Sequence, residues 1–282
     1  MAALPSPTVL ISGAGVGGPA LAFWLLRQGY RPTLVEAAPK LREGGYLIDF
    51  WGVGYDVAER MALIETLRSR GCHVNELRMV DSHGRSIGAM NVDLLRSATG
   101  DRFFSILRSD LAREVYRAID GGVETIFGDS IAAVEQNDAG VGVTFRHAPT
   151  RHFDLLVGAD GLHSAVRHLV FGADQQFEEF LGYYVPAFDA AGYPHRDADA
   201  YISHTVPRRQ IARYAFGDRC AFFFIWAEDN KLDIAHHDIA AQKTVIRQRY
   251  RDVGWEAPDI LRALDRCDNL YFDAVSQIHV AP

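Results

Sequence analysis

The first candidate for chemistry is a glycine-rich segment near the start of the sequence. Residues 13–18 read Gly-Ala-Gly-Val-Gly-Gly and match the spacing Gly-x-Gly-x-x-Gly. In such a segment the first glycine permits a tight turn, the second lets a pyrophosphate approach the backbone, and the third lets a helix pack closely on a strand. An acidic residue about 20 residues further on can accept hydrogen bonds from a ribose. The pattern predicts dinucleotide binding by Gly13, Ala14, Gly15, Val16, Gly18 and Glu36. A tight turn without a ligand is the alternative.

The second candidate is an acidic residue between two glycines. Asp160 lies in the segment Gly158-Ala-Asp-Gly161, directly after a predicted buried strand, and Arg167 follows it. Ligands of open α/β sheets bind at the carboxyl ends of the strands, so Asp160 is a candidate ligand contact. The spacing leaves a second interpretation equally open, in which Asp160 caps a helix that begins at Ser164.

The sequence contains neither a nucleophile paired with a base nor a metal-binding pattern. The histidines considered are His163, His168, His236 and His237, and they lack the spacing of metal ligands on a common face. The cysteines are odd in number and widely spaced, which argues against a disulfide framework and favours a reducing compartment. Any redox chemistry therefore has to come from a bound cofactor.

The predicted secondary structure places the glycine-rich segment between a strand and a helix. Thr8–Ser12 is a short apolar run, Pro19–Gln28 has a helical pattern that ends at Gly29, and Pro32–Glu36 is a second strand. Strand, turn, helix and strand make a βαβ unit, which requires parallel pairing and a right-handed crossover. The expected fold class is therefore α/β.

The remaining patterns predict two lobes with a boundary near residues 172–180. Before it, the pattern predicts a helix over Gly54–Leu67, a hairpin from Leu77–Val80 and Ser86–Met90, and a helix from Ser109 to Ile119. The further short strands are Phe103–Leu107, Val123–Phe127, Ile131–Glu135, Val141–Phe145 and Asp154–Val157. After it, the predicted elements are the strands Tyr201–Ile202, Ile211–Phe216 and Ala221–Trp226, the helix Ile239–Tyr250 and strand character over Leu270–Val280.

Composition and charge exclude several classes of protein. The chain has 282 residues, of which 48% are hydrophobic, so it is expected to be globular rather than disordered. The net charge of −7 gives no reason to expect binding to nucleic acid or to an anionic membrane. The longest apolar run, Cys220–Ala227, is far shorter than the ~20 residues that span a bilayer, and no signal peptide is recognisable. A cytoplasmic protein is expected.

Four segments in order resemble the flavin-dependent aromatic hydroxylases, also called class A FAD monooxygenases. The glycine segment with Glu36 is similar to their ADP-binding fingerprint, and residues 155–167 are similar to their second motif, used near FAD and NAD(P)H. The segments around Arg108 and from Leu41 to Tyr46 resemble stretches that run along the FAD. Asp252–Trp255 and Tyr271–Gln277 resemble the subgroup with tetracycline-inactivating enzymes.

The resemblance implies a fold, a reaction and further cofactor contacts. The implied fold is a glutathione-reductase-type FAD-binding domain over 1–172, with a mostly antiparallel substrate-binding sheet over 173–282 and a small sheet within 77–107 that leans on the cofactor. In the implied reaction NAD(P)H, either NADH or NADPH, reduces FAD, O2 forms a flavin C4a-hydroperoxide, and an aromatic or polyketide-like substrate is hydroxylated. Asp160, Arg42, Gly45 and Arg108 would contact the cofactor.

Arg213 and Tyr214 are the candidate substrate contacts of the second lobe. They are neighbours on one predicted strand and therefore point to opposite faces of the sheet. One of the two is expected to face the flavin, and the sequence leaves open which one.

The sequence departs from the family after the segment that resembles Gln277–Pro282. The family's third motif, a strand ending in Gly-Asp-Ala, and a C-terminal helical region are expected there and are not present. The alternatives are therefore a non-catalytic fragment of such an enzyme and an FAD oxidoreductase without oxygen insertion. An NAD-binding Rossmann dehydrogenase is disfavoured by the Asp160 motif.

Overall fold

The computed structural model describes residues 6–41, 46–194, 197, 199–235 and 237–280. The strands are β1 (Thr8–Ser12), β2 (Arg31–Glu36), β3 (Leu47–Trp51), β4 (Glu76–Val80), β5 (Ser86–Asn91), β6 (Phe103–Leu107), β7 (Glu124–Phe127), β8 (Ile131–Asn137), β9 (Gly140–Phe145), β10 (Arg151–Phe153), β11 (Leu155–Gly158), β12 (Glu178–Tyr184), β13 (Ala187–Ala191), β14 (Ala200–Val206), β15 (Arg209–Phe216), β16 (Arg219–Ala227) and β17 (Ala274–Ile278). The helices are α1 (Gly17–Arg27), α2 (Gly52–Arg60), α3 (Ile64–Arg70), α4 (Asp93–Ala98), α5 (Arg108–Arg117), α6 (Ala165–Phe171), α7 (Ile239–Tyr250) and α8 (Ala257–Asp265), with a 3-10 turn at Asp174–Gln176.

The described residues form two compact units, each built from separate stretches of the chain. The first unit contains 6–41, 111–179 and 277–280, and the second contains 46–110 and 180–276. The segment 46–110 lies in the second unit because β4 pairs in parallel with β14. The roles expected for 1–172 in cofactor binding and for 173–282 in substrate binding stay predictions.

The first unit is built on a parallel sheet. Its described strands lie in the order β11, β1, β2, β7, and all three pairings are parallel. The βαβ prediction is therefore confirmed, with α1 beginning two residues earlier than expected. An antiparallel sheet of β8, β9 and β10 contributes Val143 and Phe153 to the core beside Leu10 and Val35.

The second unit is built on a larger and mostly antiparallel sheet. Its described strands lie in the order β17, β12, β16, β15, β14, β4, β5, and β13 pairs with β16. The helices α7 and α8 cover one face, where Phe222, Phe224 and Trp226 pack with Ile246 and Ile260. The prediction of a separate small sheet within 77–107 is wrong. Strands β4 and β5 extend this large sheet, and β6 pairs with β3 instead.

Two other sequence predictions need correction. The single helix expected over Gly54–Leu67 is two helices, α2 and α3, because Ala62 has a φ of 59° and the amide of Leu63 donates to the carbonyl of Ala58. This left-handed helix end is usually marked by glycine, which the sequence lacks here. The strand expected over Leu270–Val280 is limited to Ala274–Ile278.

Candidate functional site

The glycine-rich segment forms a tight turn that only glycine can occupy at its two ends. Gly13 has a φ of +104°, and a Cβ atom there would lie 2.5 Å from the carbonyl oxygen of Ala159. A Cβ atom on Gly18 would lie 1.9 Å from the carbonyl oxygen of Gly13, so the first turn of α1 packs directly on the loop. These are the close approaches that the spacing predicts.

The middle of the same segment is open. A Cβ atom on Gly15 would have no heavy atom within 4 Å, so the backbone there can be approached closely. No side chain caps α1 at Val16, and the first turn of α1 carries no acidic residue. The uncapped start of α1 and the positive end of its dipole therefore lie at this open part of the loop, which suits a phosphate group.

Glu36 holds the loop at the end of β2. Its Oε2 atom accepts a hydrogen bond of 2.8 Å from the amide of Ala14, and its Oε1 atom accepts one of 2.9 Å from the amide of Ala38. Each carboxylate oxygen accepts more than one hydrogen bond, so capacity for ribose hydroxyl groups remains. The glycine loop of residues 13–18, open at Gly15, is called the glycine cradle. Together with the Glu36 carboxylate it fits a dinucleotide such as FAD, with the pyrophosphate on the loop and the adenosine ribose at Glu36.

Asp160 lies on the other side of the loop and is occupied by protein donors. Its carboxylate accepts hydrogen bonds from the hydroxyl groups of Ser12 and Ser164, at 3.2 and 2.5 Å, and from the amide of Val166 at 3.2 Å. Ser164 in turn caps α6 by accepting from the amide of Arg167. Asp160 therefore contributes to the start of α6, and its expected contact with a cofactor stays a prediction.

Arg167 stabilises the segment that follows the Asp160 turn. It is buried, and its Nη2 atom donates to the carbonyl of Leu162 at 2.7 Å and to Asp174 at 2.8 Å. The guanidinium group therefore connects the loop before α6 to the 3-10 turn after it.

The other expected cofactor contacts belong to the second unit or lie outside the described residues. Arg108 is the first residue of α5, is exposed, and donates from its backbone amide to the carbonyl of Tyr46 at 3.0 Å. Its positive charge acts on the hydroxyl of Tyr271, whose pKa is raised chiefly by burial. Arg42 and Gly45 lie outside the described residues.

Arg213 lies in a buried cluster of ion pairs. It is 3% exposed and donates to Glu256 at 2.8 and 3.0 Å and to Asp197 at 2.9 Å, and its guanidinium group lies 5.8 Å from the centre of the Trp255 ring. Burial lowers the pKa of Arg213, but the hydrogen bonds and charges of the two carboxylates raise it overall. Its Nη1 atom is buried without a hydrogen-bond partner. Most of the hydrogen-bonding capacity of Arg213 is therefore used within the protein.

Tyr214 points to the opposite face of the same sheet. It is 1% exposed and packs with Val74, Val92 and Phe103. Burial raises the pKa of Tyr214, and it raises the pKa of the neighbouring Cys72 thiol to about 11, so both groups are uncharged at neutral pH. The sequence left open which of Arg213 and Tyr214 faces which side; the structure places Arg213 with Trp255 and Tyr214 with Phe103. Their expected contact with a substrate stays a prediction.

The face that carries Tyr214 has a layer of small buried side chains with aromatic rings packed around it. Ala187, Ala212 and Ala221 are buried there beside Phe223. The partly buried residues packed against them are Tyr46, Leu47, Tyr201, Phe216 and Tyr271. Burial, with a smaller effect of the Asp49 carboxylate, raises the pKa of Tyr201 to about 12. This face of the sheet is therefore largely apolar, and its buried tyrosines are neutral at neutral pH.

Sequence reasoning missed the partners that hold these residues. Ser12 precedes the glycine segment directly, and its position at a strand end was a usable signal. Asp197 and Glu256 lie 16 and 43 residues from Arg213 in sequence, and no local pattern connects them to it.

Metal and membrane features are not found in the part of the chain that the structure describes. Within these residues, no group of three or more His, Cys, Asp or Glu side chains could hold a metal ion. Among the described helices, none combines the length and the apolar character that a membrane crossing needs.

The sequence is similar to proteins of known and unknown function. No family model matches the chain. It is 36% identical over 278 residues to an uncharacterized protein of Mycobacterium tuberculosis, covering 96% of this chain and 73% of the relative. It is 30% identical over 280 residues to a flavin-dependent monooxygenase of Legionella longbeachae, covering 96% of this chain and 69% of the relative.

The fold of the chain is also similar to solved structures of other proteins. The tetracycline destructase Tet(51) matches with a TM-score of 0.84 and 29% identity, over 97% of this chain and 70% of the other. Klebsiella pneumoniae HpxO, solved with FAD and uric acid, matches with a TM-score of 0.75 and 20% identity, over 96% of this chain and 68% of the other. The second match shows the shared fold alone.

Proposed function

The chain belongs to the family of flavin-dependent monooxygenases, and from this premise we propose that it binds FAD and uses NAD(P)H and O2 to hydroxylate an aromatic or polyketide-like small molecule. The observation that carries the proposal is the open glycine cradle, closed at Gly13 and Gly18 and flanked by Glu36. A ligand-free βα turn does not require an open backbone at Gly15 beside an uncapped helix. The glutathione-reductase-type fold is part of the same proposal.

The residues of the first unit would bind the adenosine diphosphate part of the cofactor. The amides of Gly15, Val16, Gly17 and Gly18 would donate to the pyrophosphate, because no side chain caps the start of α1. Glu36 would accept from the ribose while its hydrogen bond to the amide of Ala14 keeps the loop in place. A 2′-phosphate would be repelled by this carboxylate, so the preference for FAD over a phosphorylated dinucleotide follows from charge.

The second unit would supply the surroundings of the reaction. The bound flavin would take electrons from NAD(P)H and activate O2, which is the redox chemistry the side chains lack. The apolar layer around Ala212 and Phe223 would exclude water and orient a flat substrate. We assign the substrate side to the Tyr214 face, because Arg213 is committed to Asp197 and Glu256 on the other face. The free thiols of the chain support a cytoplasmic location.

The first experiment measures FAD binding by the purified chain. Visible absorption after incubation with FAD and gel filtration should show a retained flavin, and fluorescence quenching gives its Kd. Gly15→Asp adds a carboxylate at a position where the Cβ atom has open space, and its charge should repel the pyrophosphate and abolish retention. Ala133→Asp adds the same charge to an exposed position on β8 and should bind FAD like the wild type. Equal binding by both variants would contradict the proposed site.

The second experiment tests the reaction. NAD(P)H oxidation and O2 uptake are followed with a panel of phenols and tetracyclines, since a similar solved structure is named a tetracycline destructase. O2 uptake in proportion to an oxygenated product supports a monooxygenase. NAD(P)H oxidation with a reduced product and no coupled O2 uptake identifies an oxidoreductase without oxygen insertion, and retained FAD without NAD(P)H oxidation supports a non-catalytic protein.

A further inference from the structure

Strands β1 and β11 are joined by an aspartate at each end of their parallel pairing. At the beginning of both strands, Asp154 accepts hydrogen bonds of 2.6 Å from the amide and from the hydroxyl of Thr8. At the other end, Asp160 accepts from the hydroxyl of Ser12. The two carboxylates thus make the same type of cross-strand connection, but only the second lies beside the glycine-rich loop.

Asp160 connects three segments that meet at this end of the sheet. Its Oδ2 atom accepts from Ser12 at the end of β1 and from the amide of Val166 in α6, and its Oδ1 atom accepts from Ser164 at the helix cap. Three of the roughly four acceptor positions of this carboxylate are taken by protein donors, whereas Glu36 uses two, so Asp160 has less capacity left for a ligand. Its negative charge would also repel a pyrophosphate, so direct contact with the phosphates is an unfavourable use of this residue.

The position of the glycine loop depends on the turn that Asp160 holds. The amide of Ala159 donates to the carbonyl of Ser12 at 2.8 Å, and Gly13 lies so close that a Cβ atom would be 2.5 Å from the carbonyl oxygen of Ala159. Any movement of the turn at 158–161 must therefore move Gly13 as well. On the opposite side Gly13 is fixed to β2, because its amide donates to the carbonyl of Val35 at 2.7 Å.

We propose that Asp160 is a positioning residue for the phosphate-binding loop: through Ser12 and the turn at Ala159 it holds Gly13 in place, and it does not itself contact the dinucleotide. The inference rests on the proposed function for the identity of the ligand. The effect on the loop is a property of the protein alone and can be measured without any cofactor.

The first test compares Asp160→Asn with Asp154→Asn by hydrogen exchange in the absence of FAD. An asparagine keeps one oxygen acceptor and loses the second. Asp160→Asn therefore loses part of a connection that uses both oxygens, whereas Asp154→Asn can keep both Thr8 hydrogen bonds on one oxygen and loses only the charge that strengthens them. Both variants should lower the urea midpoint of unfolding. Only Asp160→Asn should speed amide exchange in residues 13–18, by about tenfold, because it weakens a charge-assisted connection of the loop itself. Equal exchange of this segment in the two variants would overturn the inference.

The second test measures the Kd for FAD in the same proteins. Asp160→Asn should raise it about tenfold, while Asp154→Asn should change it less than about twofold. Ser12→Ala should weaken binding too, and combining it with Asp160→Asn should add little, because both changes remove the same hydrogen bond. Fully additive effects of the two changes would show that Asp160 affects FAD binding independently of Ser12 and would overturn the inference.

The two tests separate this inference from the proposed function. A wild-type chain that does not bind FAD contradicts the proposed function, while the exchange experiment still decides the role of Asp160. Should Asp160→Asn fail to fold, Ser12→Ala replaces it in both tests. That variant leaves the hydrogen bonds of Ser164 and Val166 to Asp160 intact, and unchanged exchange of residues 13–18 in it would overturn the inference.

Discussion

Glu36 and Asp129 in the first unit are held by different donors from Asp197 and Glu256 in the second. In the first unit the donors are largely backbone amides: Glu36 accepts from Ala14 and Ala38, and Asp129, which is 5% exposed, accepts from four amides. In the second unit the donors are arginine side chains, as for Asp197 and Glu256 with Arg213. Glu36 and Asp129 are therefore fixed by the path of the backbone, and Asp197 and Glu256 by a side chain that is distant in sequence.

This difference has consequences for recognition and for stability. A carboxylate held by amides can remain part of a binding loop, because the amides beside it stay oriented toward a ligand. A carboxylate held by a buried arginine is committed to that partner, because removing either charge leaves the other one uncompensated. The candidate cofactor site and the candidate substrate arginine consequently respond to mutation in opposite ways.

The largest effect is expected for Arg213→Met, which leaves Glu256 and Asp197 without their shared cation. Since both carboxylates are about one quarter exposed, we expect the lower end of the range for a broken buried pair, about 3 kcal/mol of unfolding free energy. Arg208→Met is the control, because its partner Asp229 is 82% exposed and the loss should stay below about 0.5 kcal/mol. Urea unfolding measures both. A loss for Arg213→Met no greater than that of the control would show that arginine pairing does not stabilise the second unit.

The second prediction compares two glycines of the same loop. Gly18→Ala should destabilise the protein by about 2 kcal/mol, because the new Cβ atom would overlap the carbonyl oxygen of Gly13. Gly15→Ala should leave the unfolding free energy within about 0.5 kcal/mol of the wild type and weaken FAD binding, because its Cβ atom enters open space that a phosphate would occupy. Urea unfolding and FAD titration of both variants separate packing from ligand approach. A loss of stability in Gly15→Ala comparable to that in Gly18→Ala would contradict this distinction.

The third prediction concerns Asp129, whose four hydrogen-bond donors are backbone amides and include no arginine side chain. Asp129→Asn should lower the free energy of unfolding by about 1–2 kcal/mol, because the amide group offers one acceptor oxygen to donors that now use two. Added salt should change this loss little, since the donors are neutral amides. A loss that disappears at high salt would indicate charge pairing instead and would remove the contrast between the two units.

The smallest effect is expected in the dependence of stability on pH. Burial raises the pKa of Asp197, but the hydrogen bonds and charges of Arg213 and Arg78 lower it overall to below the ordinary value of 3.8. A lowered pKa in the folded state stabilises the protein above the unfolded pKa, and this contribution is lost as the pH falls through the folded value. The urea midpoint should therefore fall as the pH drops below about 4, and it should fall less in Arg213→Met. Equal slopes in the two proteins would show that Asp197 does not couple to Arg213.

Local patterns predicted the parts of the fold that are built from neighbouring residues. The βαβ segment of β1, α1 and β2 was predicted from its apolar runs and its three glycines. The structure confirms that β1 and β2 pair in parallel. The cap of α6 by Ser164 also follows from a short pattern. The break between α2 and α3 was not predictable, because Ala62 adopts a conformation that glycine usually marks.

Pairings between distant segments were not accessible from the sequence. The hairpin of β4 and β5 was predicted, but its parallel pairing with β14, more than a hundred residues later, was not. The helix α8 was missed as well; it contributes Ile260 and Leu264 to the core beside β16. Single-residue alternation showed that Arg213 and Tyr214 point to opposite faces but could not show what covers each face.

The sequence by itself determined the glycine cradle. The cradle consists of six consecutive residues, and its shape depends on backbone conformations that glycine permits. The sequence also placed Glu36 at the end of β2, close to the loop it holds. Only the tertiary structure decided that Arg213 lies in an ion-pair cluster with Asp197 and Glu256, and that Asp160 joins β1, its own turn and α6. The physical reason is how far apart in sequence the hydrogen-bonding partners are. Backbone donors that are close in sequence follow from local conformation. Side-chain partners that are far apart in sequence meet only after the sheets have formed.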